Sequence, residues 1–171
     1  PFRDQMLLDI TTEGLSIQIV DEYNRPMFAS GSVQLQPYSR GILREIGKAL
    51  NDVPNRISIS GHTDAQAYSG GTKSYSNWEL SADRANAARR ELIGGGLDDA
   101  RMLRVVGLSS AVLFDLDKPL NPINRRISIV VMNRKTEEAV SKDGGMLEAD
   151  ATADAKPDAA NETTDAAPAK P

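Results

Sequence analysis

The chain has 171 residues, enough for one domain of ordinary size with appendages but not for two full domains. It carries 20 Lys and Arg residues against 24 Asp and Glu residues, so its net charge is −4 and nucleic-acid binding is not expected. The absence of cysteine excludes disulfides, a thiol nucleophile and thiolate metal ligands, and the single histidine excludes a histidine-rich metal centre. No apolar run approaches the roughly 18 residues that span a bilayer.

Composition changes late in the chain, where an acidic segment begins. Residues 137–171 hold nine acidic and three basic side chains, while the rest holds 15 acidic and 17 basic ones. Bulky apolar residues are nearly absent from this segment, so burial cannot offset roughly 1–2 kcal/mol of backbone entropy per residue. We therefore expect a short lead over residues 1–5, a folded domain over 6–136 and a disordered acidic tail over 137–171, a solvated spacer rather than a binding motif. Because the chain opens at Pro1 without an initiator methionine, we expect a fragment or a processed product.

The remaining sequence alternates between strand-like and helix-like patterns. Two apolar runs joined at a glycine predict a hairpin, and apolar residues at helical or alternating spacing predict the later elements. The predicted elements are strands at Met6–Thr11 and Leu15–Val20, a helix over Pro37–Leu50, a strand at Ile57–Ser60, a helix at Asn77–Ile93, and strands at Leu103–Leu108 and Arg126–Met132. This order predicts an α+β fold with helices packed on one face of a mixed sheet.

The second predicted helix carries the clearest local signals. Ser76 and Glu79 have the spacing of a capping box, which marks its start. Ala85, Ala88 and Leu92 fall on one face, so we expect the helix to approach the sheet closely through them.

The strand before this helix runs into Gly61–Asp64. A carboxylate at a strand end, followed by the polar loop 65–76, lies where such folds place ligand contacts, so Asp64 is a binding candidate. His62 paired with Ser60, with Asp64 as orienting carboxylate, would be a hydrolytic site, but the spacing does not favour it over chance. A metal site would need further ligands, so we expect a packed or hydrogen-bonded His62.

Arg84 and Arg125 are candidate binding residues, and each also has a simple structural interpretation. Arg84 follows Leu80 by one turn, near the edge of the packing face, and could instead belong to an exposed i,i+4 charge pattern. Arg125 and Arg126 follow an Asn-Pro turn and could simply protect an apolar strand from aggregation. Trp78 could be a core residue or a stacking surface for a sugar ring.

Three motifs, taken together and in order, resemble those of a known family. The motifs are Gly61-His62-Thr63-Asp64, Asn77-x-x-Leu80-Ser81-x-x-Arg84-Ala85 and Asn124-Arg125-Arg126-Ile127. They resemble the OmpA-like peptidoglycan-binding domain, and the resemblance runs from about residue 6 to residue 132. Within that family the chain is most similar to the stator subunits of the flagellar motor, through Met27–Ser32 and Asn77–Arg90.

The resemblance implies an OmpA-like β/α/β/α/β-β sandwich that binds peptidoglycan without catalysis or a cofactor. In the family, the aspartate of the first motif and the arginine of the second hold the diaminopimelate residue of the peptide stem; these are Asp64 and Arg84 here. Asp64 would accept from the ligand ammonium, and the Arg84 fork would clamp its carboxylate. Secondary contacts are expected from Thr63, Asn77, Leu80 and Arg125.

The likeness to stator subunits implies a larger context. The whole protein would be a single-pass inner-membrane protein with this domain in the periplasm, a homodimer, and joined to the membrane subunit MotA through a helix absent from this chain. It would anchor the motor to the cell wall for motility. Two alternatives are the wall-binding domain of an outer-membrane protein or lipoprotein, and a periplasmic hydrolase using His62 and Asp64.

Overall fold

The computed structural model describes residues 4–69 and 74–153, with side chains up to residue 143. Its elements are β1 Met6–Thr11, β2 Gly14–Val20, α1 Pro37–Leu50, β3 Ile57–His62, α2 Asn77–Gly94, β4 Met102–Gly107, β5 Arg126–Met132 and α3 Arg134–Ala153. Up to β5, the type and order of these elements are those that the sequence predicts. Within the described residues, no helix has both the length and the apolar character needed to cross a bilayer.

The sheet has the strand order β1-β2-β5-β3-β4. Strands β3 and β4 run parallel, and the other neighbouring strands pair antiparallel, so the sheet is mixed. The central strand β5 and its neighbour β3 carry β-branched side chains into the core: Ile57 and Ile59 from β3 pack beside Ile127 and Ile129 from β5. The predicted α+β fold with a mixed sheet is confirmed.

Helix α2 begins and packs as its sequence predicts. The Ser76 side chain accepts a hydrogen bond from the Trp78 N–H, and the Glu79 carboxylate accepts one from the Ser76 N–H at 2.6 Å, which completes the capping box. Ala88 and Leu92 are fully buried against the rest of the core. Small side chains on this face let the helix axis approach the sheet.

Two glycines set how closely α2 approaches the strand ends. Gly61 in β3 pairs with Gly107 in β4. A methyl group on Gly61 would overlap the Ser81 carbonyl oxygen, and one on Gly107 would overlap Ala82. The first turns of α2 therefore lie directly on the ends of β3 and β4, which brings the side chains of α2 next to the residues that follow β3.

Helix α3 continues through residues 137–153, the first part of the segment for which the sequence predicts a disordered tail. Asn133 begins it: its side-chain oxygen accepts from the Thr136 N–H at 2.9 Å, and its carbonyl accepts from the Glu137 N–H. The compact unit of the chain ends at Glu137. The remainder of the predicted tail, 154–171, and residues 1–3 of the predicted lead lie outside the described residues.

Candidate ligand-binding cleft

A cleft of about 360 Å³ opens where β3 ends and α2 begins. Its walls come from the segment after β2, the loop after β3, the first turns of α2 and the residue before β5. All six residues that the sequence predicts for the site line it: Thr63, Asp64, Asn77, Leu80, Arg84 and Arg125. The fold therefore brings together side chains that are up to 62 positions apart in the sequence.

Asp64 lines the cleft, is buried, and forms hydrogen bonds through both of its carboxylate oxygens. Oδ1 accepts a hydrogen bond from the Gln66 N–H at 3.0 Å, and Oδ2 lies 2.6 Å from Nη1 of Arg125. A carboxylate has about four acceptor positions, so two positions of Asp64 stay available to a ligand donor.

Arg84 is only 8% exposed, so the exposed charge pattern considered for it is wrong. Its Nε donates to the Ser32 carbonyl at 2.9 Å, and its guanidinium carbon lies 4.8 Å from the centre of the Phe28 ring. Burial, opposed by the nearby charge of Asp21, lowers the pKa of Arg84, but a guanidinium stays cationic at neutral pH. Its two terminal nitrogens have no hydrogen-bond partner among the residues that the structure describes.

Arg125 bridges two carboxylates, one that follows β2 and one that follows β3. Its Nε lies 2.9 Å from Oδ2 of Asp21, and its Nη1 contacts Asp64. Burial acts to lower the pKa of Arg125, but the hydrogen bonds to Asp21 and Asp64 outweigh it and the pKa is raised. The interpretation of Arg125 as simple charge protection of the strand is therefore wrong.

Asp21 is a cleft residue that the sequence analysis missed. It follows β2 directly, is buried, and also accepts a hydrogen bond from the Met27 N–H at 2.7 Å. Burial raises the pKa of Asp21, and the bonds to Arg125 and Met27 oppose that rise. The signal that indicates Asp64, a carboxylate at the end of an apolar strand, also holds for Asp21 and could have found it.

The other three predicted residues shape the cleft. The Thr63 hydroxyl donates to the Asp64 carbonyl at 2.9 Å, and the Asn77 amide donates to the Gln66 carbonyl at 2.8 Å, which ties the loop to the start of α2. Leu80 is buried and gives the cleft an apolar surface. Trp78 is 53% exposed and is therefore not a core residue.

His62 is placed for structure rather than for hydrolysis. Its Nε2 lies 3.2 Å from the Ser60 hydroxyl, but Asp64 bonds Arg125 and the Gln66 N–H and so does not orient the imidazole. Burial, with a smaller effect from the Arg126 charge, lowers the pKa of His62 to about 4, which makes it a poor general base at neutral pH. The described part of the chain holds no cluster of three His, Asp or Glu residues that could bind a metal.

Solved structures from two bacteria share this fold. The periplasmic domain of Helicobacter pylori MotB matches with a TM-score of 0.65 at 16% identity, covering 89% of this chain and 93% of that one. The cell wall anchor of the T6SS from Pseudomonas aeruginosa matches with a TM-score of 0.61 at 24% identity, covering 77% of this chain and 90% of that one. At these identities the matches establish the fold.

Sequence comparison identifies the family. The chain is 54% identical over 138 residues to Motility protein B of Escherichia coli K12, covering 81% of this chain. It spans 45% of the length of that relative. The model of the OmpA family matches residues 27–126, which is more than half of the chain. This chain belongs to the OmpA family.

Proposed function

We propose that this domain binds peptidoglycan without cleaving it, by holding the diaminopimelate end of a peptide stem in the cleft. The observation that carries the proposal is the pairing of Arg84, whose terminal nitrogens are unused by described residues, with an Asp64 that keeps acceptor positions available. Both side chains line the same cleft.

The chemistry of the ligand matches these two groups. The side-chain end of diaminopimelate carries one ammonium and one carboxylate. Asp64 would accept from the ammonium, while the two terminal nitrogens of Arg84 would donate to the carboxylate in the two-pronged geometry of a guanidinium. The free edge of Arg125 would add a donor to the same carboxylate.

The charge balance of the cleft also supports a zwitterionic ligand. Asp21 and Asp64 carry two negative charges, and Arg84 and Arg125 carry two positive ones. A ligand end with one charge of each sign enters without leaving an unpaired buried charge, which would be costly. Neither a simple anion nor a simple cation has this property.

Affinity at one cleft would be modest and attachment to a wall would be firm. Hydrogen bonds to charged groups contribute roughly 1.5–3 kcal/mol each, before the cost of removing water from the ligand. A continuous wall offers many stems, so neighbouring domains that bind at once gain from effective concentration.

We further propose that the domain anchors the stator of a flagellar motor. The support is its 54% identity to Motility protein B. In that role the whole protein would lie in the inner membrane with this domain in the periplasm, form a homodimer and join MotA. This relative favours the stator over an outer-membrane protein or lipoprotein as the parent of the domain.

Co-sedimentation with purified diaminopimelate-type sacculi tests the binding proposal. The wild-type chain should pellet, whereas Asp64→Ala, Arg84→Ala and Arg84→Lys should stay in the supernatant. Arg84→Lys is the sharpest variant, because it keeps the charge and loses only the fork.

Arg90→Ala is the matched control, since Arg90 is an exposed arginine of the same helix outside the cleft. It should pellet like the wild type. Circular dichroism on each variant separates lost binding from lost fold. Pelleting of folded Asp64→Ala and Arg84→Ala at the wild-type level would place the site elsewhere.

A further inference from the structure

Arg125 divides its guanidinium between two carboxylates. Nε bonds Asp21 at 2.9 Å and Nη1 bonds Asp64 at 2.6 Å, so each carboxylate receives one donor. A guanidinium beside a single carboxylate ordinarily pairs with it through two parallel hydrogen bonds. The divided arrangement therefore depends on the second carboxylate, Asp21.

Asp21 is itself rigidly placed. It directly follows β2, its side chain is 7% exposed, and its other oxygen accepts from the Met27 N–H at 2.7 Å. Both oxygens of Asp21 are thus engaged by the protein. A buried carboxylate fixed in this way can hold an arginine but has little capacity left for a ligand.

Removal of the Asp21 charge would release Nε of Arg125. The fork could then turn onto Asp64 and occupy both of its oxygens. Asp64 already gives one acceptor position to the Gln66 N–H, so a two-pronged Arg125 would leave it one of about four positions in place of two. The acceptor proposed for the ligand ammonium would be weakened without any change in Asp64 itself.

We propose that Asp21 is a positioning residue of the cleft, which holds Arg125 away from two-pronged pairing with Asp64 and so keeps Asp64 available to a cationic group of the ligand. This inference rests on the proposed binding of the diaminopimelate end. The OmpA family model matches residues 27–126. Asp21 lies before this range, so the family match does not assign a role to it.

A double-mutant cycle tests the inference. The probe is the tripeptide L-alanyl-γ-D-glutamyl-meso-diaminopimelate, titrated calorimetrically into the wild-type chain, Asp21→Asn, Arg125→Gln and the double variant. Asp21→Asn keeps an oxygen for the Met27 N–H and removes the charge that holds Arg125. It should weaken binding about ten-fold, the size of one lost charge-assisted hydrogen bond.

The decisive comparison is the effect of Asp21→Asn when Arg125 is absent. If Asp21 acts through Arg125, the double variant should bind as Arg125→Gln does. A residue that only stabilises the fold, or that touches the ligand, would weaken binding in both backgrounds. An equal effect in both backgrounds, or no effect in either, overturns the inference.

Arg125→Lys gives a second background in which to measure the effect of Asp21→Asn. A lysine ammonium cannot pair with Asp64 through two parallel hydrogen bonds, so Asp21→Asn should weaken tripeptide binding less in Arg125→Lys than in the wild type. An equal loss of affinity in the two folded backgrounds overturns the inference. A wild-type chain that fails to bind the tripeptide overturns the proposed function and the inference with it, whereas a binding wild type with an unaffected Asp21→Asn overturns the inference alone.

Discussion

Arg84 illustrates how a buried cation is prepared for binding at the scale of one residue. The Ser32 carbonyl and the Phe28 ring hold the guanidinium, and its terminal nitrogens face no partner among the described residues. Its side chain is fixed before any ligand arrives, so little rotamer entropy remains to be lost on binding. A lysine cannot reproduce this arrangement, which is why we expect Arg84→Lys not to bind sacculi.

His62 makes the stability of the domain depend on pH. The pKa of His62 is near 6.5 in the unfolded chain. In the folded chain, burial disfavours the charged imidazole and lowers the pKa to about 4. Between these values the unfolded chain binds the extra proton, so stability falls as the pH is lowered from about 6.5 to 4. The full loss is on the order of 3 kcal/mol.

Urea unfolding of the wild type and His62→Gln at pH 7, 5 and 4 measures this effect. The variant cannot titrate at this position, so it should lose less stability than the wild type over the same range. Carboxylates contribute equally to both chains and cancel in the comparison. An identical pH dependence in the two chains contradicts the assignment to His62.

Sequence motifs could predict Asp64, Arg84 and Arg125 as site residues, because each belongs to a short motif. They could not predict that Arg84 is buried, since its spacing also fits an exposed charge pattern. Nor could they predict the bond between Arg125 and Asp21, which joins residues 104 positions apart. Contacts of that range depend on the strand order of the sheet.

At the scale of elements, the position of α2 on the sheet depends on Gly61 and Gly107. Gly61→Ala should destabilise the domain by about 1–3 kcal/mol, the usual cost of overpacking, because the added methyl overlaps the Ser81 carbonyl oxygen. It should also weaken sacculus binding, since α2 carries Arg84. Thermal unfolding and co-sedimentation measure the two effects.

Gly41→Ala is the control for this change. Gly41 lies in α1, is exposed, and has open space where its Cβ would stand. Alanine there should stabilise the chain by about 0.5–1 kcal/mol through helix propensity and leave binding unchanged. If Gly61→Ala is as stable as Gly41→Ala and binds sacculi equally well, the position of α2 on the sheet does not depend on Gly61.

The elements of the domain were predictable because local signals agree with the fold. The capping box fixed the start of α2, and alternating or helical spacing of apolar residues gave the strands and both core helices. Helix α3 lacks the regular apolar spacing that marks α1 and α2, so the sequence pattern does not predict it.

At the scale of the whole molecule, binding should not need the chain beyond the compact unit. Among the described residues, those that line the cleft all lie between Asp21 and Arg125. A chain truncated after Glu137 should therefore pellet with sacculi and bind the tripeptide like the full chain. Loss of binding on truncation, with the fold retained, would show that residues 138–171 take part.

We expect the cleft to recognise a side-chain end that carries both an ammonium and a carboxylate. Calorimetric titration with the meso-diaminopimelate tripeptide and with the same tripeptide ending in L-lysine tests it most directly, because lysine keeps the ammonium and lacks the side-chain carboxylate. We expect the lysine tripeptide to bind at least about ten-fold more weakly, since the Arg84 fork then has no partner. Equal affinity for the two tripeptides would contradict the account.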